Sequence, residues 1–308
     1  KMRIYNDCYK VVRRKCFKFI KTQETSKEKF KNKERMIKKF LIPVSFWISK
    51  KCKSKPYLIG LAGGQGTGKT TISSILKIIL INYFKLNVFK ISIDDFYKTR
   101  KDRINLSERI HPMLLTRGAP GTHDIKMMLD FFKNSKKSKF KKMKLPLFDK
   151  SIDDRLPKKK WYEIKKRPDV IILEGWCVGA KAQKNREIKK PINSMEKTMD
   201  KQLKWRKFVN HNLQTSYKKL FKQLDSLLYL KASSFNQLRK WRLKQEKKLK
   251  IQTKNKKNLK IMDKKDVMNF MQTYQRITEN MFKNVPKYAS IIMNLNSSHQ
   301  IKSVIYKK

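Results

Sequence analysis

The sequence is poor in glycine, proline, cysteine and acidic residues, and it has no long apolar run. Its 308 residues include 9 Gly, 9 Pro and 4 Cys. The four cysteines form no Cys-x-x-Cys pair, which argues against a zinc ribbon or a disulfide scaffold and favours a reducing compartment. The apolar stretch at residues 40–48 is about half of the ~18–20 residues that cross a bilayer. We therefore expect a protein without membrane-spanning segments.

Positive charge dominates what is present. The chain has 78 Lys and Arg against 24 Asp and Glu, which gives a formal net charge of +54. Clustered basic residues bind the phosphates of nucleic acids, but here the lysines are spread over almost every segment and arginine, which reads base edges, is scarce. We interpret the charge as a lysine-biased surface that contacts nucleic acid only non-specifically. With 39% hydrophobic and 11% aromatic residues, the chain is not a disordered basic tail.

Short apolar strands alternate with helical segments from residue 57 onward. The predicted strands are 57–62, 88–93, 169–173 and 226–230, with a last edge strand at 290–295. Helical periodicity marks residues 71–84 and 263–282. Strands that are apolar on both faces and separated by helices indicate an α/β fold, with a mostly parallel sheet covered by helices on both faces.

The first 54 residues lack this alternation. Apolar side chains at near-helical spacing predict one or two helices over residues 1–39, and this stretch has the acidic residues that a transit peptide lacks. We therefore expect a helical extension, 1–54, packed on a domain formed by residues 55–308. Lysine runs at 136–144, 158–160 and 247–257 are expected to be solvated loops or helix faces, and the polar segment 180–205 gives no clear prediction.

A complete phosphate-binding loop follows the first predicted strand. Residues 63–70 read Gly-Gly-Gln-Gly-Thr-Gly-Lys-Thr, and a predicted helix comes next, which is the context of a nucleotide-binding P-loop. Glycine lets the backbone wrap closely around an anion, and the helix N-terminus adds N–H groups. Lys69 is expected to reach the β- and γ-phosphates of ATP, and the Thr70 hydroxyl to bind Mg²⁺. The predicted ATP-binding residues are Gly63, Gly64, Gln65, Gly66, Thr67, Gly68, Lys69, Thr70 and Thr71.

Two strand ends carry acidic residues suited to phosphoryl transfer. The second strand ends in Asp94-Asp95, and carboxyl ends of parallel strands line the ligand crevice. Asp94 is suited to accept the proton of an acceptor hydroxyl or to hold the metal through water, and its alternative role is a helix N-cap. A neighbouring lysine is a candidate partner for Asp95. Glu174 ends the third strand and is the second predicted metal residue, unless it only caps a turn. The Asn-Lys-x-Asp motif of a GTPase is absent.

Taken together, these segments resemble the D-glycerate 3-kinase family, within the uridine kinase and phosphoribulokinase group of P-loop kinases. The matching segments, in chain order, are 63–70, Ser-Ile-Asp-Asp-Phe-Tyr at 92–97, Arg-Gly-Ala-Pro-Gly-Thr-His-Asp at 117–124, Phe-Asp-Lys-Ser at 148–151, Asp-Arg at 154–155, Leu-Glu-Gly-Trp at 173–176, Trp-Arg at 241–242, Gln-Glu at 245–246, Met-x-x-Tyr at 271–274 and Ile-Thr-Glu at 277–279. The resemblance implies ATP-dependent phosphorylation of a small metabolite, D-glycerate to 3-phosphoglycerate. It also implies a helical lid that closes over the phosphates.

The resemblance also supplies candidates for the acceptor and lid sites. The acceptor-binding candidates are Asp94, Tyr97, Arg117, His123, Asp124, Lys150 and Arg155. Arg117 or Arg155 would grip the carboxylate of glycerate. The alternatives are a loop salt bridge for Arg117, a satisfied loop histidine for His123 and a helix N-cap for Asp124. On the lid, Arg242 is the catalytic candidate together with Lys69 and Asp94, and its alternative is an ordinary helix face.

Three functions remain open at this point. The first is a D-glycerate 3-kinase acting on a small-molecule substrate. The second is a related kinase for a nucleoside or a pantothenate-like acid. The third is a nucleic-acid-associated ATP-binding protein whose positive charge is its function. The expected location is the cytoplasm, with a plastid as the alternative, and the sequence does not define an oligomeric state.

Overall fold

The computed structural model describes residues 2–25, 29–52, 56–252 and 262–307. Its strands are β1 (Tyr57–Gly63), β2 (Val88–Ser92), β3 (Met143–Leu145), β4 (Phe148–Asp149), β5 (Asp154–Arg155), β6 (Tyr162–Ile164), β7 (Val170–Gly175), β8 (Ser226–Lys231), β9 (Ile291–Leu295) and β10 (Ile301–Tyr306).

The α-helices are α1 (Met2–Gln23), α2 (Lys33–Arg35), α3 (Ile42–Lys51), α4 (Lys69–Asn82), α5 (Arg100–Arg109), α6 (Ile125–Ser135), α7 (Asn185–Lys189), α8 (Ser194–Met199), α9 (Lys204–Gln214), α10 (Ser216–Phe221), α11 (Phe235–Gln252) and α12 (Lys264–Tyr288). A π-helical stretch, Met36–Leu41, joins α2 to α3.

Six strands form one central sheet in the order β10-β9-β8-β1-β7-β2. All neighbouring pairs are parallel except β9 and β10. Two small two-stranded sheets, β3 with β6 and β4 with β5, lie between β2 and β7 in the chain. Because β1, β7 and β2 are adjacent and parallel, their carboxyl ends meet at one edge of the sheet, where ligands bind in this class of fold.

Apolar side chains on alternate strand positions enter two separate hydrophobic clusters. Ile59 and Ile172 pack with α1, α3 and α4, whereas Leu58 and Ile171 pack with α6, α9, α10 and α12. Successive residues of a strand point to opposite faces of the sheet, so a sheet covered on both faces needs apolar residues at every position. The predicted α/β class is confirmed.

The N-terminal helices pack on the first of these clusters. Cys8, Val12, Cys16 and Ile20 form the buried face of α1, and α1 contacts both α3 and α4. Within the residues that the structure describes, no helix is long and apolar enough to cross a membrane. The division of the chain at residue 54 stays a prediction.

Two predictions about single elements were wrong. The segment predicted as a last edge strand, β9, pairs with β10, which forms that edge of the sheet instead. Helix α4 covers residues 69–82 rather than 71–84. The segment 180–205, for which there was no clear prediction, forms two short helices, α7 and α8, and the start of α9. The lysine run at 247–257 lies partly in α11 and partly outside the described residues.

Candidate active site

The phosphate-binding loop connects β1 to α4 at the carboxyl edge of the sheet. Gly66 and Gly68 have φ angles of +79° and +85°, which residues with a Cβ rarely adopt. Helix α4 begins at Lys69, so its first N–H groups, which have no partners within the helix, lie next to the loop. The backbone therefore has the conformation that holds a phosphate group.

The side chains of the loop bind its own backbone. The Thr67 hydroxyl and the Lys69 ammonium both donate to the Gly64 carbonyl oxygen, at 2.9 and 3.0 Å. Gln65 lies in the turn of the loop, and Thr71 lies in the first turn of α4. Burial lowers the pKa of Lys69, and the nearby carboxylates of Glu174 and Asp94 oppose that shift. Lys69 is thus bound to the loop backbone and is near enough to both predicted carboxylates to feel their charge.

Helix α11 lies directly against this loop. A Cβ added at Gly64 would come within 2.3 Å of Leu238 Cδ1, and one at Gly66 within 2.9 Å of Trp241 Cβ. Trp241 is buried and stacks on His299, with ring centroids 4.4 Å apart. The loop glycines therefore serve two purposes, since they allow the phosphate-binding conformation and leave room for α11.

The predicted lid arginine lies on this helix. Arg242 forms an ion pair with Glu246, one turn further along, and its Nη1 donates to Gln245 at 3.4 Å. Its backbone nitrogen lies 3.5 Å from where a Cβ added at Gly66 would be, so the turn of α11 that carries Arg242 contacts the phosphate-binding loop. Its action on a transferring phosphoryl group stays a prediction.

The two predicted metal residues are in contact. The Thr70 hydroxyl donates to Glu174 Oε1 at 2.9 Å, and Ser73 donates to Glu174 Oε2. Glu174 is only 4% exposed. Among the described residues no group of three or more His, Cys, Asp or Glu side chains could hold a metal. This arrangement fits Mg²⁺, which takes one or two protein oxygens and completes its shell with phosphates and water.

Both carboxylate oxygens of Asp94 accept hydrogen bonds. Tyr97 donates its hydroxyl proton to Oδ1 at 2.9 Å, and the Lys150 ammonium donates to Oδ2 at 2.7 Å. Asp94 lies inside a short 3₁₀ helix, Ile93–Phe96, whose N-cap is Ser92, so the alternative N-cap role of Asp94 was wrong. Burial, the largest single cause, raises the pKa of Asp94, but the charge and the hydrogen bond of Lys150, together with smaller contributions that include the Tyr97 hydrogen bond, hold that pKa below its usual value. Asp94 is therefore an ionised carboxylate at neutral pH.

The neighbouring Asp95 behaves in the opposite way. Burial raises its pKa to about 6, and a backbone hydrogen bond from Phe148 limits the rise. Lys150 contributes a smaller lowering effect. The Asp95 carboxyl group is therefore held by a backbone N–H of the β4–β5 hairpin, that of Phe148, rather than by an ion pair.

His123 is buried beside Asp94 and stacks on Tyr97, with ring centroids 4.5 Å apart. The Tyr217 hydroxyl accepts the Gly121 N–H at 3.0 Å and contacts His123 Nδ1 at 2.5 Å. Within the described part of the chain His123 Nε2 is buried without a hydrogen-bond partner. Burial lowers the pKa of His123 to about 4, so the imidazole is neutral and bears no charge for an anionic acceptor.

The two arginines predicted to grip a carboxylate have partners within the protein. Arg117 Nη1 pairs with Asp153, which is the loop salt bridge considered as its alternative role. Arg155 donates from Nε and Nη2 to the Tyr97 carbonyl oxygen, at 3.2 and 2.8 Å. Both guanidinium groups thus fix loops around the site.

Asp124 and Lys150 complete the predicted acceptor group. Asp124 is the N-cap of α6, because its Oδ1 accepts the Met127 N–H at 3.1 Å, and its Oδ2 lies 3.6 Å from Arg155 Nη2. The alternative role of Asp124 is therefore the observed one. Lys150, which pairs with Asp94, is 60% exposed.

Sequence reasoning missed the ion-pair centre that organises this side of the site. Asp153, with a φ of +53°, pairs with Arg100, Arg103 and Arg117. Arg103 is fully buried and also donates to the Leu115 carbonyl oxygen at 2.6 Å. The only sequence signal was the position of Asp153 next to the Asp-Arg motif at 154–155.

A second missed residue is Tyr274, from the C-terminal part of the matching segments. Its ring packs edge-on against Trp176, with centroids 4.7 Å apart, and Trp176 donates to the Gly118 carbonyl oxygen at 3.1 Å. A Cβ added at Gly118, whose φ is +130°, would come within 2.3 Å of the Tyr274 hydroxyl. Tyr274 therefore requires glycine in the Arg-Gly segment at 117–118.

Part of the chain matches a known protein family, and most of it is similar to kinases of other organisms. Residues 58–189 match the phosphoribulokinase/uridine kinase family. The chain is 30% identical over 238 residues to mug58, an uncharacterized kinase of Schizosaccharomyces pombe. This alignment covers 73% of this chain and 80% of that protein. It is 31% identical over 200 residues to the chloroplastic D-glycerate 3-kinase of Arabidopsis thaliana, covering 62% of this chain and 41% of that protein.

The fold has a close counterpart among solved structures. The D-glycerate 3-kinase from Cryptococcus neoformans superposes with a TM-score of 0.69 at 23% sequence identity. The superposition covers 87% of this chain and 97% of that structure. At this identity the similarity establishes the fold and not the substrate.

Proposed function

We propose that this chain, which belongs to the phosphoribulokinase/uridine kinase family, transfers the γ-phosphoryl group of ATP to a hydroxyl group of a small hydroxy acid. The acceptor that we favour is D-glycerate, which gives 3-phosphoglycerate. The observation that carries the proposal is the contact between Asp94, at the carboxyl end of β2, and the exposed cation Lys150. A site that phosphorylates a hydroxy acid needs both a base for the hydroxyl group and a cation for the carboxylate of that acid.

The nucleotide would bind at the β1–α4 loop. The loop N–H groups and Lys69 would hold the phosphates, and the first turn of α4 would add its dipole. Thr70 and Glu174 would hold Mg²⁺, which supplies positive charge to the phosphate oxygens. Arg242 on α11 would contact the phosphates when the lid closes and help to exclude water.

The transfer would then be a direct displacement. The acceptor oxygen forms a bond to the γ-phosphorus while the bond between that phosphorus and the β–γ bridging oxygen breaks. The hydroxyl proton passes to the Asp94 carboxylate, and ADP leaves with the bridging oxygen. Tyr97 holds Oδ1 of Asp94 in a fixed orientation, so Oδ2 is the oxygen that would face the acceptor.

An ADP-release assay tests this proposal directly. The full chain is given Mg-ATP and, in separate reactions, D-glycerate, L-glycerate, uridine, pantothenate or single-stranded DNA. We expect D-glycerate to drive ADP release far more than the others. Release with uridine or pantothenate alone would replace D-glycerate by another acceptor on the same scaffold, and release with DNA alone would favour a nucleic-acid-associated ATPase.

A further inference from the structure

Four basic residues were candidates for binding an anionic acceptor. Three of them already have partners within the protein or carry no charge. Arg117 pairs with Asp153, Arg155 donates twice to a backbone carbonyl oxygen, and His123 is buried and neutral. Lys150 differs, since its side chain is 60% exposed. Of these four residues, Lys150 is therefore the one that can change partners without opening the fold.

The present partner of Lys150 is the carboxylate that the reaction uses. Its ammonium donates to Asp94 Oδ2 at 2.7 Å, and Tyr97 occupies Oδ1. Charge-assisted bonds of this kind are about twice as strong as neutral ones. A carboxylate in such a pair is a weaker base, and the Lys150 charge is the main cause that lowers the pKa of Asp94 against the effect of burial.

The backbone that carries Lys150 is fixed on both sides. Lys150 lies in the turn between β4 and β5. The Asp149 carboxylate accepts the Ser151 N–H at 2.8 Å, and Asp154 Oδ1 accepts the Arg100 N–H at 2.9 Å. The turn need not move when the lysine moves, because rotation about the four-carbon side chain is enough to relocate an exposed ammonium group.

We propose that Lys150 holds Asp94 until an anionic acceptor binds, and that the acceptor's anionic group then takes Lys150 and frees the carboxylate to accept the hydroxyl proton. This inference rests on the proposed function, since it assigns the class of acceptor, a small hydroxy compound with a carboxylate or a similar anion. It adds that the anion is needed for turnover as well as for binding.

The same exchange limits the hydrolysis of ATP. Water can take the place of the acceptor hydroxyl group. The water oxygen then bonds to the γ-phosphorus, the bond between that phosphorus and the β–γ bridging oxygen breaks, and a water proton goes to Asp94. A neutral molecule in the site leaves Lys150 on Asp94, and the carboxylate stays a poor base. An anionic acceptor removes Lys150 and occupies the position of the attacking oxygen at the same time.

The test compares Lys150→Met, which keeps the length and removes the charge, with Lys150→Arg, which keeps the charge. Lys144→Met is the control, because Lys144 is an exposed lysine of the nearby strand β3. Phosphate release from Mg-ATP without acceptor measures hydrolysis, and ADP release measures turnover with D-glycerate and with glycerol, which has the same carbon skeleton without the carboxylate. Thermal unfolding of each variant checks the fold.

In Lys150→Met we expect KM for D-glycerate to rise by ~10-fold or more, as for the loss of a charged hydrogen bond. Hydrolysis without acceptor should rise by at least about threefold, a small part of what a positioned base contributes. Lys150→Arg, which keeps the charge, should lie closer to wild type than Lys150→Met on both measures, and Lys144→Met should match wild type. Glycerol should stimulate wild type little and Lys150→Met more.

Two results would overturn the inference. One is a raised KM with unchanged or lower hydrolysis in Lys150→Met, since Lys150 would then only bind the substrate. The other is a variant with both quantities unchanged. A wild-type protein that phosphorylates none of the anionic acceptors would refute the proposed function instead, and the hydrolysis measurement would still report on the contact between Lys150 and Asp94.

Discussion

Replacement of Asp94 by Asn tests the assignment of the base. Asparagine has nearly the same shape, and its carbonyl oxygen can still accept the hydrogen bond that the Tyr97 hydroxyl group donates to Oδ1 at 2.9 Å. Lys150 loses its ion partner, but a side chain that is 60% exposed remains hydrated by solvent. Exposed ion pairs contribute about 0–1 kcal/mol, so the free energy of unfolding should change little while the proton acceptor is lost.

The expected loss of turnover is large. General base catalysis contributes about 10²–10⁴-fold, which corresponds to about 2.7–5.5 kcal/mol of transition-state stabilisation. We therefore expect kcat of Asp94→Asn to fall by ~10²-fold or more, with ATP affinity within about threefold of wild type. Because the pKa of Asp94 lies below its usual value, the wild-type carboxylate stays ionised from pH 8 to about pH 5. The ratio of the two kcat values should therefore be the same at pH 6 and pH 8.

The assay is ADP release at saturating acceptor, with binding of a fluorescent ATP analogue measured in parallel. Asp130→Asn is the matched control, because Asp130 is an exposed carboxylate of α6 paired with Lys126. A kcat of Asp94→Asn within threefold of wild type would remove Asp94 from the base role. A ratio that changes strongly between pH 6 and pH 8 would assign the proton transfer to a group with a higher pKa.

Two further substitutions test the packing and the electrostatics of the site. Gly118→Ala should destabilise the protein by about 2–4 kcal/mol in urea unfolding, because the new Cβ meets the Tyr274 hydroxyl at 2.3 Å and φ is +130°. The double variant with Tyr274→Phe should recover about 1 kcal/mol, and no recovery would contradict the contact. Burial raises the pKa of Asp95 to about 6, so the folded state binds this proton more tightly than the unfolded chain does, and stability is lost as the pH rises to about 6. Asp95→Asn should then stabilise by about 1–3 kcal/mol at pH 8 and by almost nothing at pH 4, and an equal gain at both pH values would refute that reasoning.

The parts of the molecule that could be predicted from the sequence are those encoded by neighbouring residues. The P-loop is one contiguous segment between a strand and a helix, so its glycines and Lys69 were identified without tertiary information. The strands β1, β7 and β8 are apolar and buried at nearly every position, which is typical of a sheet covered on both faces. By contrast, β10 mixes exposed polar and apolar residues and gave no such signal, so β9 was predicted to be the edge.

The parts that could not be predicted depend on contacts between distant residues. Arg103 binds Asp153 across 50 positions, and His123 binds Tyr217 across 94. These pairs decide whether a basic residue of a motif is available to a ligand or is used to hold a loop. The sequence could identify Arg117 and Arg155 as members of one motif group, but not the partners that already occupy them.

The excess of positive charge does not by itself create a specific anion site. Charges on a lysine-rich surface attract every anion, and salt screens that attraction beyond about 10 Å at 0.1 M. Specificity requires a cation whose contact within the site controls a group that takes part in the reaction. Among the basic residues that the matching segments brought together, Lys150 has Asp94, the proposed base, as its partner, while Arg117 and Arg155 have structural partners. If Lys150 acts as proposed, selection among anions depends on this one ion pair more than on the net charge of +54, because only an anion that reaches Lys150 would release Asp94.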